Sequence, residues 1–131
     1  VARAREEQGG QRLSAVAVDD RFLFNAAAYY GRDYFGRLGA PPLTHWVRES
    51  RPNIQAEVEA PLTRALGRRV LAASYEGQYA AEMAADFGAV SGEEVIGVRL
   101  DAKHRRRTEL FIGAGFAPRP RDPVTGLPPK P

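Results

Sequence analysis

Residues 94–116, EVIGVRLDAKHRRRTELFIGAGF, decide how this chain is read. Ile96, Val98 and Leu100 alternate with Val95, Gly97 and Arg99. Beyond a polar gap, Thr108, Leu110, Ile112, Ala114 and Phe116 alternate with Glu109, Phe111, Gly113 and Gly115. Alternation with a period of two buries one face of an extended segment and wets the other. Two such runs joined by one short polar link predict an antiparallel β-hairpin. The link, Asp101-Ala102-Lys103-His104-Arg105-Arg106-Arg107, gives that hairpin a cationic tip.

Working outward, the preceding residues carry helical patterns. Asp19 and Asp20 offer an N-cap to a helix over 21–38, whose stripe is Leu23, Ala27, Tyr30, Tyr34 and Leu38. Gly39 and Pro41-Pro42 end it. A second short helix is predicted over Leu43–Arg51. A third follows Asn53, with Ile54, Val58, Leu62 and Leu66 at intervals of four and a kink at Pro61. A fourth covers Gln78–Phe87. Leu13–Val18 alternates weakly, as a short strand does, and 68–77 reads equally as strand or helix. The expected fold is α+β: three to four short helices, then a C-terminal antiparallel β-hairpin, with extended arms at both ends. The expected divisions are an arm over 1–12, one globular domain over 13–116 and a proline-rich arm over 117–131. That second arm holds six of the ten prolines.

Composition excludes several classes. The 131 residues contain no cysteine, which removes disulfides, zinc–thiolate sites and a cysteine nucleophile. No apolar run reaches the roughly 20 residues of a membrane span. Val1–Arg12 lacks the apolar middle of a signal peptide. The expectation is therefore a soluble protein without membrane contact, its compartment open. The formal net charge is +3, distributed as +2 over 1–48, −4 over 49–94 and +5 over 95–131. The basic residues are nearly all arginine, which grips phosphate or carboxylate through two parallel hydrogen bonds. Arg99, Lys103, His104, Arg105, Arg106 and Arg107, widened by Arg119 and Arg121, form the expected surface for nucleic acid or for an acidic partner. A solvated loop that keeps hairpins from stacking explains the same charges.

Catalytic signals are sparse. His45 and His104, with Glu109 nearby, offer a general acid–base set for RNA cleavage. Asp101-Ala102-Lys103 has the spacing of some metal-dependent nucleases, but three-residue matches recur by chance and no upstream acid completes it. No metal site and no cofactor are expected. Tyr29, Tyr30 and Tyr34, with Phe22, Phe24 and Phe35, exceed what one buried stripe accommodates, so the helix is expected either to be buried on most of its sides or to dock its second face onto a partner. Trp46 is expected to anchor the core or an interface.

These readings favour a non-enzymatic subunit of a larger assembly. A virion component such as a phage capsid, connector or tail piece is named first, and a ribonucleoprotein second. Its partners are other protein subunits in a homo- or hetero-oligomer, with DNA or RNA as a further ligand. The alternatives are a small nuclease-type effector using His45 and His104, and a nucleic-acid-binding module without catalysis.

Overall fold

The computed structural model describes residues 12–99, 103 and 105–131. Most of the expected N-terminal arm, and Leu100, Asp101, Ala102 and His104 of the expected tip, lie outside the described residues. The described chain is a mixed α+β fold built on a five-stranded sheet, with short helices beside it.

The strands are β1 (Ala15–Val18), β2 (Leu43–His45), β3 (Arg69–Tyr75), β4 (Phe87–Arg99) and β5 (Arg105–Phe116), in the order β2-β1-β3-β5-β4. β1 runs parallel to both neighbours, with Val18 level with His45 on one side and with Ala73 on the other. β5 is antiparallel to β3 and to β4. The segment over 94–116 therefore contributes two of five strands to a central sheet and is not a separate hairpin placed after the helices. β4 begins earlier than its alternation suggests, at Phe87, and its register with β5 shifts between Ser91 and Glu94. Gly92 (φ 63°) sits in that irregular segment, where a positive φ suits a residue without Cβ.

Both faces of the sheet are covered, which explains why β1 and β3 read as apolar runs without clear alternation. Val16, Val18, Leu71, Ala73, Leu110 and Ile112 pack on one face with Leu23 and Tyr34. Ala15, Ala17, Val70, Ala72 and Phe111 pack on the other with Trp46, Met83, Phe87 and Phe116. Odd and even residues of one strand divide between the two clusters, as the pleat requires.

Tertiary pairing overrides several helical expectations. The expected helix over 21–38 is interrupted: α1 (Arg21–Tyr30) stops at Gly31, and α2 (Arg32–Phe35) follows as a single turn. Leu43–His45 is the strand β2 and not a helix. The Thr44 hydroxyl donates to the Val16 carbonyl at 3.0 Å, while Trp46 N–H donates to the Val18 carbonyl at 2.8 Å. The helix expected after Asn53 shrinks to α3 (Gln55–Glu59). Pro61 has no N–H to continue it, and the chain around it instead lies along β2, with His45 N–H donating to the Ala60 carbonyl at 2.7 Å. A 3₁₀ turn spans Arg64–Leu66. The helix expected over 78–87 reduces to α4 (Ala80–Ala84), because Asp86 turns inward and Phe87 joins the sheet. Among the described residues no helix is long and apolar enough to cross a membrane.

The tail is fastened to its own domain. Ala117 N–H donates to the Asp86 carbonyl at 2.8 Å, and Ser50 N–H donates to the Gly126 carbonyl at 2.8 Å. Within the tail, Asp122 accepts from Val124 N–H and Thr125 N–H, and those bonds hold its carboxyl below the ordinary value.

Candidate active site

Three parallel strands end side by side, and the chain leaves β1 in one direction to form β2 and returns across it to form β3. At such a switch point the strand ends diverge and leave a crevice. Here the crevice is a cleft of about 290 Å³. Asp19 follows β1, His45 ends β2, and Gln78 and Tyr79 follow β3; Arg48, Glu49 and Glu57 line the remaining wall.

Asp19 and Asp20 divide roles that the sequence leaves together. Asp20 caps α1 by accepting from Phe22 N–H at 2.8 Å and Leu23 N–H at 3.2 Å. Asp19 turns the other way and is buried. Its Oδ2 accepts from the Ser74 hydroxyl at 2.5 Å, and its Oδ1 accepts from Tyr75 N–H at 2.8 Å. Burial raises its pKa from 3.8 to about 6, more than these two hydrogen bonds lower it. Asp19 is thus present in both protonation states near neutral pH.

His45 is 3% exposed. Its Nδ1 lies 2.8 Å from the Trp46 carbonyl oxygen. A carbonyl only accepts, so Nδ1 carries a proton, and in the neutral form of the ring the lone pair is at Nε2. Nε2 is buried and has no hydrogen-bond partner among the described residues. Phe24 packs against the ring at 6.0 Å between centroids.

The surrounding wall is held by side-chain pairing. Arg48 Nε donates to Glu82 at 2.6 Å, and its guanidinium lies over the Tyr79 ring at 4.2 Å. Glu57 accepts from Asn53 N–H at 2.8 Å and Ile54 N–H at 3.2 Å. The Asn53 side-chain amide donates to Glu49. Among the described residues no group of three or more His, Asp or Glu side chains is arranged to hold a metal ion.

The other singled-out residues are dispersed. Because β5 is antiparallel to β3, its first residues emerge at the same end of the sheet as the cleft, with Glu76 N–H donating to the Arg107 carbonyl at 2.7 Å. Arg105 and Arg107 are exposed and Arg106 is partly so. Arg106 lies 3.6 Å from Glu76, and Arg107 lies 3.4 Å from Glu109. Lys103 is exposed, and Arg99 closes β4 opposite Arg105. Glu109 does not line the cleft of His45; it borders a different groove, with Ala80, Glu93 and Glu94.

Arg119 and Arg121 are clasped inside the chain. Arg119 Nε donates to Asp86 at 2.9 Å, and Arg121 Nη2 donates to the other carboxylate oxygen at 2.9 Å. Trp46 Nε1–H donates to Asp86 as well, at 3.0 Å. Burial pushes the Asp86 carboxyl upward, but the hydrogen bonds from Arg121, Arg119 and Trp46 together outweigh it and hold its pKa below 3.8. Trp46 and Tyr34 are core residues, whereas Tyr29 (60% exposed), Tyr30 and Phe22 face outward from α1.

Asp19 and Ser74 escape sequence reading, Asp19 because it resembles half of an N-cap. The available signal was the run Ala15-Val16-Ala17-Val18 followed at once by an acid, which is how a buried strand delivers a carboxyl to its own end. No protein family, curated protein or solved structure matches the chain.

Proposed function

We propose that the chain is a small acid–base hydrolase of the nuclease type, with its chemistry in the cleft at the ends of β1 and β2. One juxtaposition carries this reading: a buried carboxyl titrating near 6 and a buried imidazole with a bare Nε2 line the same crevice. Groups with tuned protonation states that converge in a cleft are the elements of general acid–base catalysis. His45 Nε2 takes a proton from the attacking water as the new P–O bond forms. Protonated Asp19 gives its proton to the leaving oxygen as the old P–O bond breaks. Solvent then returns a proton to Asp19 and removes one from His45, so that one water is consumed per bond cleaved. The phosphodiester class is supported by Arg105, Arg106 and Arg107, which share the cleft's end of the sheet and offer a cationic track for a nucleic-acid backbone.

The test is cleavage of short single-stranded RNA and DNA by Asp19→Asn and His45→Gln. Each change is expected to lower the rate by about 10²-fold or more. Full activity in both variants, or no cleavage of either polymer by the wild-type protein, would reject the reading.

A second reading, a non-enzymatic assembly or virion subunit, rests on a different observation. Phe22 and Tyr29 are seven residues apart on α1, hence on one helical face, and both are more than half exposed. Arg21 stacks on Phe22 and Arg32 on Tyr29. An aromatic face bordered by arginine has the composition of a protein interface.

A further inference from the structure

The cleft at the ends of β1 and β2 holds hydrogen-bond acceptors besides Asp19 and His45. Glu57, on α3, lines it and is 6% exposed. Asn53 orients both Glu57 and its neighbour in the wall, Glu49. Its backbone N–H donates to Glu57 Oε1 at 2.8 Å, and its side-chain amide donates to Glu49 Oε2. Ile54 N–H donates to Glu57 Oε1 as well, at 3.2 Å, as the glutamate of a capping box requires. Capping therefore occupies one oxygen and holds the carboxyl still. A carboxylate accepts through both oxygens. Among the described residues nothing donates to Glu57 Oε2. His45 Nε2 is a second buried acceptor of the same cleft, also without a donor among the described residues. Buried polar atoms are costly when unmet, so a hollow with acceptors to spare suits a ligand that donates.

We propose that the cleft recognises a guanine base and that Glu57 is the residue that selects it. The choice of a nucleobase rests on the hydrolase reading; the choice of guanine rests on the acceptors. Guanine presents N1–H and its N2 amino group side by side on one edge. Glu57 Oε2 and the Glu49 carboxylate, both tethered to Asn53, are the acceptors for that pair. Adenine and cytosine set a ring lone pair beside their amino group, and uracil sets a carbonyl on each side of its one N–H. Each of them turns a lone pair toward a carboxylate. A site built to accept two N–H groups rejects a base that lacks one, because its own buried group is then left unpaired. Tyr79 and Ile54 supply ring and apolar surface for the flat of the base. Charge divides the substrate in the same way. Arg48 in the cleft wall is committed to Glu82 at 2.6 Å, so the acidic wall suits an uncharged base, while the exposed Arg105 and Arg107 suit the backbone.

NMR titration with guanosine, inosine and adenosine tests the assignment. These nucleosides have no P–O bond, so binding is read apart from cleavage. The wild-type protein should bind guanosine roughly tenfold or more tightly than inosine, which lacks the N2 amino group, and than adenosine. Glu57→Gln separates recognition from capping. A glutamine oxygen still accepts from Asn53 N–H and Ile54 N–H, so the amide spectrum should remain that of a folded chain. Its amide nitrogen then replaces Oε2 and turns an acceptor into a donor. Guanosine affinity should fall by roughly tenfold or more, and guanosine and inosine should bind alike. The absence of saturable shifts with guanosine, equal affinity of the wild type for guanosine and adenosine, or an unchanged preference in folded Glu57→Gln would each overturn the assignment. Cleavage that needs Asp19 and His45 but comes with no preference for guanosine would overturn it and leave the hydrolase reading standing. Guanosine binding that depends on Glu57, in a protein that cleaves neither RNA nor DNA, would support it and reject the hydrolase reading alone.

Discussion

The Ser74 hydroxyl donates a 2.5 Å hydrogen bond to Asp19 Oδ2, joining the end of β1 to the end of β3 in the buried part of the sheet. The contact fixes the carboxyl but does not offset its burial. The folded Asp19 titrates near 6, against an ordinary 3.8, so the folded state retains a proton that the unfolded chain has already released. The stability that proton contributes is complete below pH 3.8 and is lost as pH rises through 6. The loss is about 3 kcal/mol by neutral pH. Asp19→Asn should therefore gain on the wild type by up to that amount between pH 4 and pH 7.5 in urea unfolding. A constant difference across the range would contradict the shift.

Asp86 predicts the opposite pH window. Its folded pKa lies below 3.8, so its contribution is present above that value and fades as pH falls through the folded one. Arg121→Met leaves a buried carboxylate short of a counter-charge and should cost about 3 kcal/mol at pH 7. The cost should shrink below pH 4, where the carboxyl takes up a proton. A penalty that does not depend on pH would show that Arg121 acts through packing alone.

The basic strand start should show its charge in salt dependence. If Arg105, Arg106 and Arg107 contact phosphates, replacing all three with serine lowers the slope of log affinity against log salt by about 2 for single-stranded nucleic acid. Filter binding between 50 and 200 mM salt reads this directly, and an unchanged slope removes the track from the hydrolase reading.

The exposed aromatic face gives a test of the assembly reading. Phe22→Ser/Tyr29→Ser should dissolve any oligomer seen by light scattering while leaving the fold intact, because both side chains point outward. A monomer at high concentration before any substitution would remove this reading.

Close approach in the core sets a steric prediction. A Cβ at Gly67 would sit 2.2 Å from the Phe116 Cβ. Gly67→Ala should destabilise the domain by about 1–3 kcal/mol in thermal or urea unfolding.

Local pattern revealed what local forces decide. The alternation over 95–98 reports β-structure because Ile96 and Val98 are half-buried while Val95 and Gly97 are exposed; β5 is buried on both faces from Leu110 to Gly113 and is marked by its run of β-forming residues instead. Leu13–Val18 alternates only weakly, yet enough to be read as the short strand that β1 is, whereas Val70–Ala73, with both faces covered, reads equally as strand or helix. β2 was concealed for a different reason. Leu43-Thr44-His45 is too short for any period, and only the neighbouring Val16–Val18 makes it a strand. Arginine content suggested cationic surface at Arg119 and Arg121, yet both belong to Asp86, a pairing set by residues 33 and 35 positions apart. His45 was visible as a candidate base. Its partner was not, because burial, which shifts Asp19, is a property of the assembled sheet.

The clasp on Asp86 also orders events during synthesis. Asp86 emerges from the ribosome 33 residues before Arg119 and 35 before Arg121. At ordinary translation rates that interval is roughly 2–7 s. Through it the carboxyl has no guanidinium to meet, and sealing it under Trp46 is unfavourable. The Phe87 end of the sheet is therefore expected to close last, once the tail has brought Arg119 and Arg121 to Asp86.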